Sequence, residues 1–119
     1  MKKKEEKLSD LKVEILLPLY YNAANHSGNR ASIEGGKYTQ TYNEIIDRFG
    51  GCTIDNSPLL GGWLNPATGK EIQDENVTYW IVCKNTKSNV QFFSRLKGVL
   101  KKRFQQDEIM MYYIEIHRI

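Results

Sequence analysis

The stretch Phe49-Gly50-Gly51-Cys52-Thr53 marks the point at which a predicted helix ends and a sheet begins. Upstream of it, apolar residues at 42, 45, 46 and 49 repeat at helical spacing behind a capping-box pattern at 41–44. Gly50 stands where helices commonly end in a left-handed residue, and residues 52–55 are typical of extended chain. The stretch therefore predicts a helix followed by a strand.

Further strands and a second helix are predicted on both sides of this junction. Residues 12–20 alternate like a strand, and Asn65-Pro66-Ala67-Thr68-Gly69-Lys70 is a turn between extended segments at 59–64 and 71–84. Polar breaks are expected at 57–58 and 74–76. A capping box at 88–91 opens a second amphipathic helix, and residues 108–116 form the last strand.

This order, β-α-β-β-α-β, predicts an α+β protein of the ferredoxin-like class, with two helices on one face of an antiparallel sheet. The other face would carry Leu16, Tyr20, Trp80, Val82 and one register of residues 109–116. Open sheet faces are normally polar, so an apolar one predicts a partner surface. The simplest partner is a second copy, and we expect a homodimer.

Composition limits the class of protein. With 119 residues and 40% hydrophobic content, one globular domain is expected at 12–119, behind a charged flexible tail at 1–11. No apolar run is long enough for a membrane span, and the charged start lacks the apolar core of a signal peptide, which favours a cytoplasmic protein. Cys52 and Cys83 lack zinc spacing, so neither a metal nor a cofactor is predicted.

The order of short motifs resembles a group of small prokaryotic proteins. The shared features here are Phe49-Gly50-Gly51-Cys52-Thr53, then Gly61-Gly62-Trp63, an acidic pair, an apolar strand, a helix and a strand. The resemblance covers roughly residues 42–116. It implies a ferredoxin-like fold, and because the group has no assigned activity it implies no catalytic residues.

Two regions are candidate sites. Residues 22–36 are expected to form a long loop, and long loops are disproportionately functional. With the aromatic residues of the sheet, this loop predicts a small-ligand site at Tyr20, Asn22, His26, Trp63 and Trp80. The second region is the basic side of the second helix, which could contact nucleic-acid phosphates through Arg95, Lys97, Lys101, Lys102 and Arg103.

The glycine pairs are not predicted to bind phosphate. Gly50-Gly51 follows a helix C-terminus, the wrong end for an anion, and Gly61-Gly62 precedes no helix. Cys52 would be a nucleophile only if a neighbouring base lowered its pKa.

Three functions remain open at this level. The favoured one is a non-catalytic binding or regulatory module, homodimeric, with a small-molecule or protein ligand. The alternatives are a nucleic-acid-binding protein or small dimeric phosphodiesterase or nuclease using the basic helix, and an enzyme acting on a small molecule in a pocket under the 22–36 loop. No catalytic motif decides whether the protein is an enzyme.

Overall fold

The computed structural model describes residues 9–22, 30–64 and 66–119, and for residues 63 and 72–74 the backbone alone. Its elements are β1 (Asp10–Pro18), α1 (Gly35–Phe49), β2 (Thr53–Leu64), β3 (Glu71–Lys84), α2 (Lys87–Arg103) and β4 (Met111–Ile116). In this described part of the chain, no helix is long and apolar enough to cross a membrane.

The four strands form one antiparallel sheet in the order β2-β3-β1-β4. β3 lies between β1 and β2, and β1 lies between β3 and β4, so the chain contains two interleaved split β-α-β units. This is the ferredoxin-like topology, and the predicted fold class is confirmed.

The core lies between the sheet and the two helices. Alternate side chains of the two central strands are buried on this side, and the buried residues there are Leu11, Val13, Ile15, Leu17, Val77, Tyr79, Ile81 and Cys83. Helix α1 contributes Ile45, and α2 contributes Phe93, Leu96 and Leu100. The period-2 burial of β1 and β3 follows from the opposite orientation of successive strand side chains.

Both predicted helix starts are wrong. Helix α1 begins at Gly35, ahead of the pattern at 41–44, and Thr41 is buried inside it with its hydroxyl donating to the Lys37 carbonyl. Helix α2 is capped by Thr86, whose side-chain oxygen accepts from the Asn89 amide, so the box at 88–91 is not the cap. In both cases a Ser/Thr-x-x-Glu/Gln spacing falls inside the first turns of the helix and does not mark its cap.

The helix end at Gly50 is confirmed. Gly50 has φ 75° and ψ −2°, and its N–H donates to the Ile46 carbonyl at 2.8 Å. Only glycine adopts this left-handed conformation without a steric penalty, which is why the helix stops there.

The β2–β3 hairpin is longer and more continuous than predicted. The expected breaks at 57–58 and 74–76 do not interrupt either strand; instead the pairing register shifts once between Asp55 and Leu59. Pro58 falls in that shift, where it need not donate to the ladder. The predicted turn is confirmed by residues 66–68 and by Gly69 at φ 69°.

Much of this hairpin extends beyond the rest of the sheet. Strand β1 pairs with β3 as far as Asn76, and none of the four described strands lies beside the part of the hairpin beyond that pair. The molecule is accordingly elongated, with extents of 69 × 30 × 24 Å.

Three other predicted boundaries move. Asp10 and Leu11 belong to β1, so the domain begins before residue 12, and residues 1–8 of the predicted tail lie outside the described part. The last strand begins at Met111 rather than 108. The 22–36 loop is shorter than predicted, because Tyr20 bridges Ser32 and helix α1 already contains residues 35 and 36. Residues 23–29 of that loop are not described.

The open face of the sheet is only partly as predicted. Leu16, Trp80 and Val82 are half-buried on the side away from the helices, whereas Tyr20 lies outside the four-stranded sheet in its bridge to Ser32. Lys12 and Glu14 occupy the same face on the central strand. The face is therefore apolar at its flanks and charged along its middle.

Candidate functional site on the open sheet face

A charged and aromatic cluster lies at the centre of the open face. We call Lys12, Glu14, Trp80 and Tyr112 the open-face cluster. Glu14 is paired in register with Trp80 on β3 and with Tyr112 on β4, so an aromatic side chain stands on each side of its carboxylate. The alternation of strand side chains places all four residues on the same face.

Polar contacts hold the open-face cluster together. The Tyr112 hydroxyl donates a hydrogen bond to the Glu14 carboxylate, and the Lys12 ammonium lies 3.6 Å from the other Glu14 oxygen. The same ammonium lies 4.7 Å from the centroid of the Trp80 ring, within cation–π range. The hydrogen bond to Glu14 raises the pKa of Tyr112, which therefore remains a donor at neutral pH.

The Glu14 carboxylate is unusual for its position. Its side chain is 20% exposed, on a central strand whose other face is core. Removing a carboxylate from water is costly unless hydrogen bonds and opposite charge compensate it. This carboxylate can accept hydrogen bonds from a ligand's hydroxyl or amino groups, while the Trp80 ring offers a flat apolar surface.

The predicted ligand residues are not all brought together. Tyr20 is half-buried beside Arg30, whose guanidinium lies 5.6 Å from its ring centroid, and Asn22 is exposed two residues further on. His26 lies outside the described residues. Trp80 belongs to the open-face cluster.

Trp63 lies far from Trp80. Its backbone pairs with Ile72 near the end of the hairpin, and its side chain is outside the described part. Trp80 pairs with Thr53 and Trp63 pairs with Ile72, so eight residues of β3 separate the two pairs, which corresponds to about 26 Å. Within one chain these two tryptophans cannot line the same small pocket.

A second polar cluster lies where the 22–36 segment meets helix α1. The Tyr21 hydroxyl donates to the Glu34 carboxylate, Lys37 donates to the Tyr21 oxygen, and Lys37 and Glu34 are 3.6 Å apart. These contacts lower the pKa of Glu34 and raise the pKa of Lys37, in each case chiefly through the hydrogen bond with Tyr21. The ammonium is thus held protonated, which is unsuited to a lysine nucleophile.

The basic side of helix α2 does not present all five predicted residues to solvent. The side chain of Arg103 is 9% exposed and forms a two-pronged ion pair with Glu44, and Lys97 pairs with Glu108 at 2.8 Å. Arg95 and Lys102 are exposed, and Lys101 is half-buried. Contact with nucleic acid through this helix remains a prediction. For Arg103 to take part, it would have to break its ion pair with Glu44.

The cysteines and the glycine pairs do not form a reactive site. Burial raises the pKa of the Cys52 thiol to about 11, the opposite of what a nucleophile requires, and it raises the pKa of Cys83 as well. Gly50 and Gly51 follow helix α1, and the other pair lies within β2. Among the residues that the structure describes, no group of three His, Cys, Asp or Glu is placed to hold a metal ion.

Sequence reasoning missed Lys12 and Glu14. Their even positions on β1 show only that they share a face. The strand register, which no local pattern specifies, places Glu14 between Trp80 and Tyr112.

The sequence matches no protein-family model and no curated protein. Two solved structures are similar in fold. A phage SAM lyase in complex with S-methyl-5'-thioadenosine has a TM-score of 0.65 at 15% identity, covering 95% of this chain and 88% of that one. The B. subtilis GlnK–ATP complex has a TM-score of 0.49 at 17% identity, covering 91% of this chain and 82% of that one. At this identity, the likeness to the lyase supports the ferredoxin-like fold.

Proposed function

We propose that this chain is a small cytoplasmic binding module that recognises a nucleoside-like small molecule on its open sheet face and assembles as a homodimer along the edge strand β4. The observation that carries the proposal is the half-buried Glu14 carboxylate between Trp80 and Tyr112. An apolar aromatic surface with one polar group beside it is the composition typical of small-ligand sites.

The chemistry of the open-face cluster suits a purine or pyrimidine nucleoside. Stacking of a base on an aromatic side chain is worth about 1–3 kcal/mol, whereas a cation–π contact at an exposed site is worth about 0.5–1 kcal/mol. A base can therefore displace the Lys12 ammonium from the Trp80 ring. Glu14 would then accept hydrogen bonds from ribose hydroxyls or an exocyclic amine.

The ligand of the phage lyase supplies a concrete probe. S-methyl-5'-thioadenosine, which that protein holds in its complex, is an adenine nucleoside. It therefore belongs to the class of ligand that the cluster suits. We expect it to bind, and we expect Trp80→Ala and Glu14→Gln each to raise its Kd about tenfold or more, since each removes a stacking surface or a charged acceptor. Isothermal titration calorimetry measures all three constants.

The control for this experiment is Glu71→Gln. Glu71 is an exposed carboxylate at the start of β3, so the substitution makes the same chemical change away from the cluster. Its Kd should match that of the unmodified protein. Equal weakening by Glu14→Gln and Glu71→Gln, or no binding to the unmodified protein, would count against the site.

The same probe addresses whether the protein is an enzyme. Incubation with SAM followed by chromatography shows whether S-methyl-5'-thioadenosine is produced. Production that is lost in Glu14→Gln but retained in Glu71→Gln would assign an activity to the cluster, and binding without turnover would leave a binding module.

The homodimer rests on strand β4. It is an edge strand, and its exposed residues include Tyr112, Tyr113 and Ile114. Edge strands with exposed apolar side chains tend to associate unless they are covered. Ile114 lies on the open face at this edge, so a second copy placed along β4 would cover Ile114. The Trp80 ring, on the other side of β1, would stay open to the ligand.

Ile114→Lys is expected to convert the dimer to a monomer. The Ile114 side chain is 49% exposed on the open face, so lysine is tolerated in the monomer but places a charge in the interface. Light scattering coupled to size-exclusion chromatography gives the molecular mass of the unmodified protein and of the variant. Val99→Lys, at an equally exposed apolar residue on α2, should remain dimeric. A monomeric unmodified protein at all concentrations tested would refute this part of the proposal.

A further inference from the structure

A cleft of about 440 Å³ lies at the end of the sheet where β1 begins and β3 ends. Its lining includes Arg48 from α1, Lys84 from β3 and Arg118 near the C-terminus, together with Asp10 and Asn89. Its cationic contacts lie away from the Trp80 ring, because Lys84 is four residues along β3 from Trp80, about 13 Å. At its edge the cleft reaches Val82, which is paired with Lys12 of the open-face cluster. Its volume is within the range of small-molecule sites.

The charges around the cleft do not balance. Among the described lining residues there are three cations and one carboxylate, that of Asp10. Lys84 and Arg118 both approach this carboxylate, at 3.4 and 3.9 Å, while remaining largely exposed themselves. Asp10 thus holds two cations at the rim without neutralising both.

Arg48 is held in place by neutral groups. Its Nη2 donates to the Ser88 hydroxyl at 3.0 Å and to the Asn89 side-chain oxygen at 3.2 Å. Its guanidinium also lies 4.7 Å from the centroid of the Phe92 ring. These contacts fix the orientation of the side chain, and among the residues that the structure describes no carboxylate pairs with its charge, which is the arrangement suited to binding an external oxyanion.

We propose that this cleft binds the phosphate group of a small molecule, with Arg48, Lys84 and Arg118 as its cationic contacts. A phosphate brings the negative charge that the lining lacks, and its oxygens match the donors of a guanidinium. The volume leaves room for more than a bare ion, so a phosphate monoester fits as well as free phosphate. This proposal does not depend on the function proposed for the sheet face.

The test is titration with inorganic phosphate and with ribose 5-phosphate, a phosphate monoester without a base, at constant ionic strength, followed by calorimetry and by the backbone amide signals of the cleft. We expect saturable binding, and we expect Arg48→Gln to raise the Kd about tenfold or more, the loss typical of a charge-assisted hydrogen bond. Asp10→Asn should lower the Kd, because it removes the carboxylate that competes for Lys84 and Arg118. A rise in Kd for Arg48→Gln together with a fall in Kd for Asp10→Asn is the expected result for binding in this cleft.

Lys70→Gln is the matched control, since Lys70 is an exposed cation by the hairpin turn. Its Kd should be unchanged. Tighter binding of ribose 5-phosphate than of phosphate would identify an ester as the natural class, and equal binding would identify free phosphate. The proposal is overturned if phosphate does not saturate, if Lys70→Gln weakens its binding as much as Arg48→Gln does, or if ribose perturbs the cleft signals as ribose 5-phosphate does. If Asp10→Asn and Arg48→Gln keep the melting temperature of the unmodified protein, unfolding is excluded as the cause of their changes in Kd.

Discussion

Phe104→Ala is expected to lower the free energy of unfolding by about 4 kcal/mol. Phe104 follows helix α2 and is fully buried, and its ring packs edge-to-face on Tyr38 of helix α1 with centroids 5.3 Å apart. The substitution removes this contact and leaves a cavity between two helices and the sheet. Urea denaturation followed by circular dichroism measures the change.

Val99→Ala is the control, because Val99 lies on the same helix but is 47% exposed. It should change the free energy of unfolding by less than about 0.5 kcal/mol. Both variants need to be measured at several protein concentrations, since assembly would add to apparent stability. A loss below about 1 kcal/mol for Phe104→Ala would mean that the two helices do not pack as described.

Arg103→Met is expected to cost about 2 kcal/mol of folding free energy. The guanidinium donates to both Glu44 oxygens and to the Thr41 hydroxyl, linking the C-terminal turn of α2 to the middle of α1. Removing it leaves the Glu44 carboxylate without this compensation, although partial exposure of Glu44 to water limits the loss. The measurement is again denaturant unfolding.

A double-mutant cycle identifies the cause. If the loss comes from the uncompensated carboxylate, Arg103→Met combined with Glu44→Leu should recover part of it. Lys97→Met, which breaks the more exposed pair with Glu108, should have a smaller effect. Identical losses in the single and double variants would show that the packing of the Arg103 stem, rather than its charge, is what matters.

The elements of the fold were predictable where the signal is local. The helix end at Gly50 requires a residue that tolerates positive φ, and the hairpin turn requires Gly69 for the same reason, so both can be recognised in the sequence. The period-2 alternation of β1 and β3 is equally direct, because one side of each strand is core. From these signals the order of elements and the ferredoxin-like class follow.

The helix starts were not predictable in the same way. Thr41 sits in a capping pattern, yet it is buried within α1 and accepts a hydrogen bond from Arg103, 62 residues away in sequence. That contact exists only once α2 has packed on α1. The local pattern carries no information about this contact, and the cap predicted at 41–44 lies inside α1, which starts at Gly35.

The candidate site also combines a residue that local sequence predicts with residues that only tertiary structure brings together. Trp80 was predicted as a ligand residue from its aromatic type, but its neighbours Lys12, Glu14 and Tyr112 come from two other strands. The arginines and lysine of the proposed phosphate cleft come from α1, β3 and the C-terminal segment. Their proximity depends on strand register and on helix docking.

By itself, the sequence determined the types and order of the elements and the residues that form one side of the core, because hydrophobic periodicity and glycine conformation act within a few residues. Only the tertiary structure decided that Glu14 lies between two aromatic side chains, that Arg103 is an internal ion-pair partner, and that Arg48, Lys84 and Arg118 surround one cleft. The physical reason is that these relations join residues distant in sequence, and their energies arise only when strands pair and helices pack.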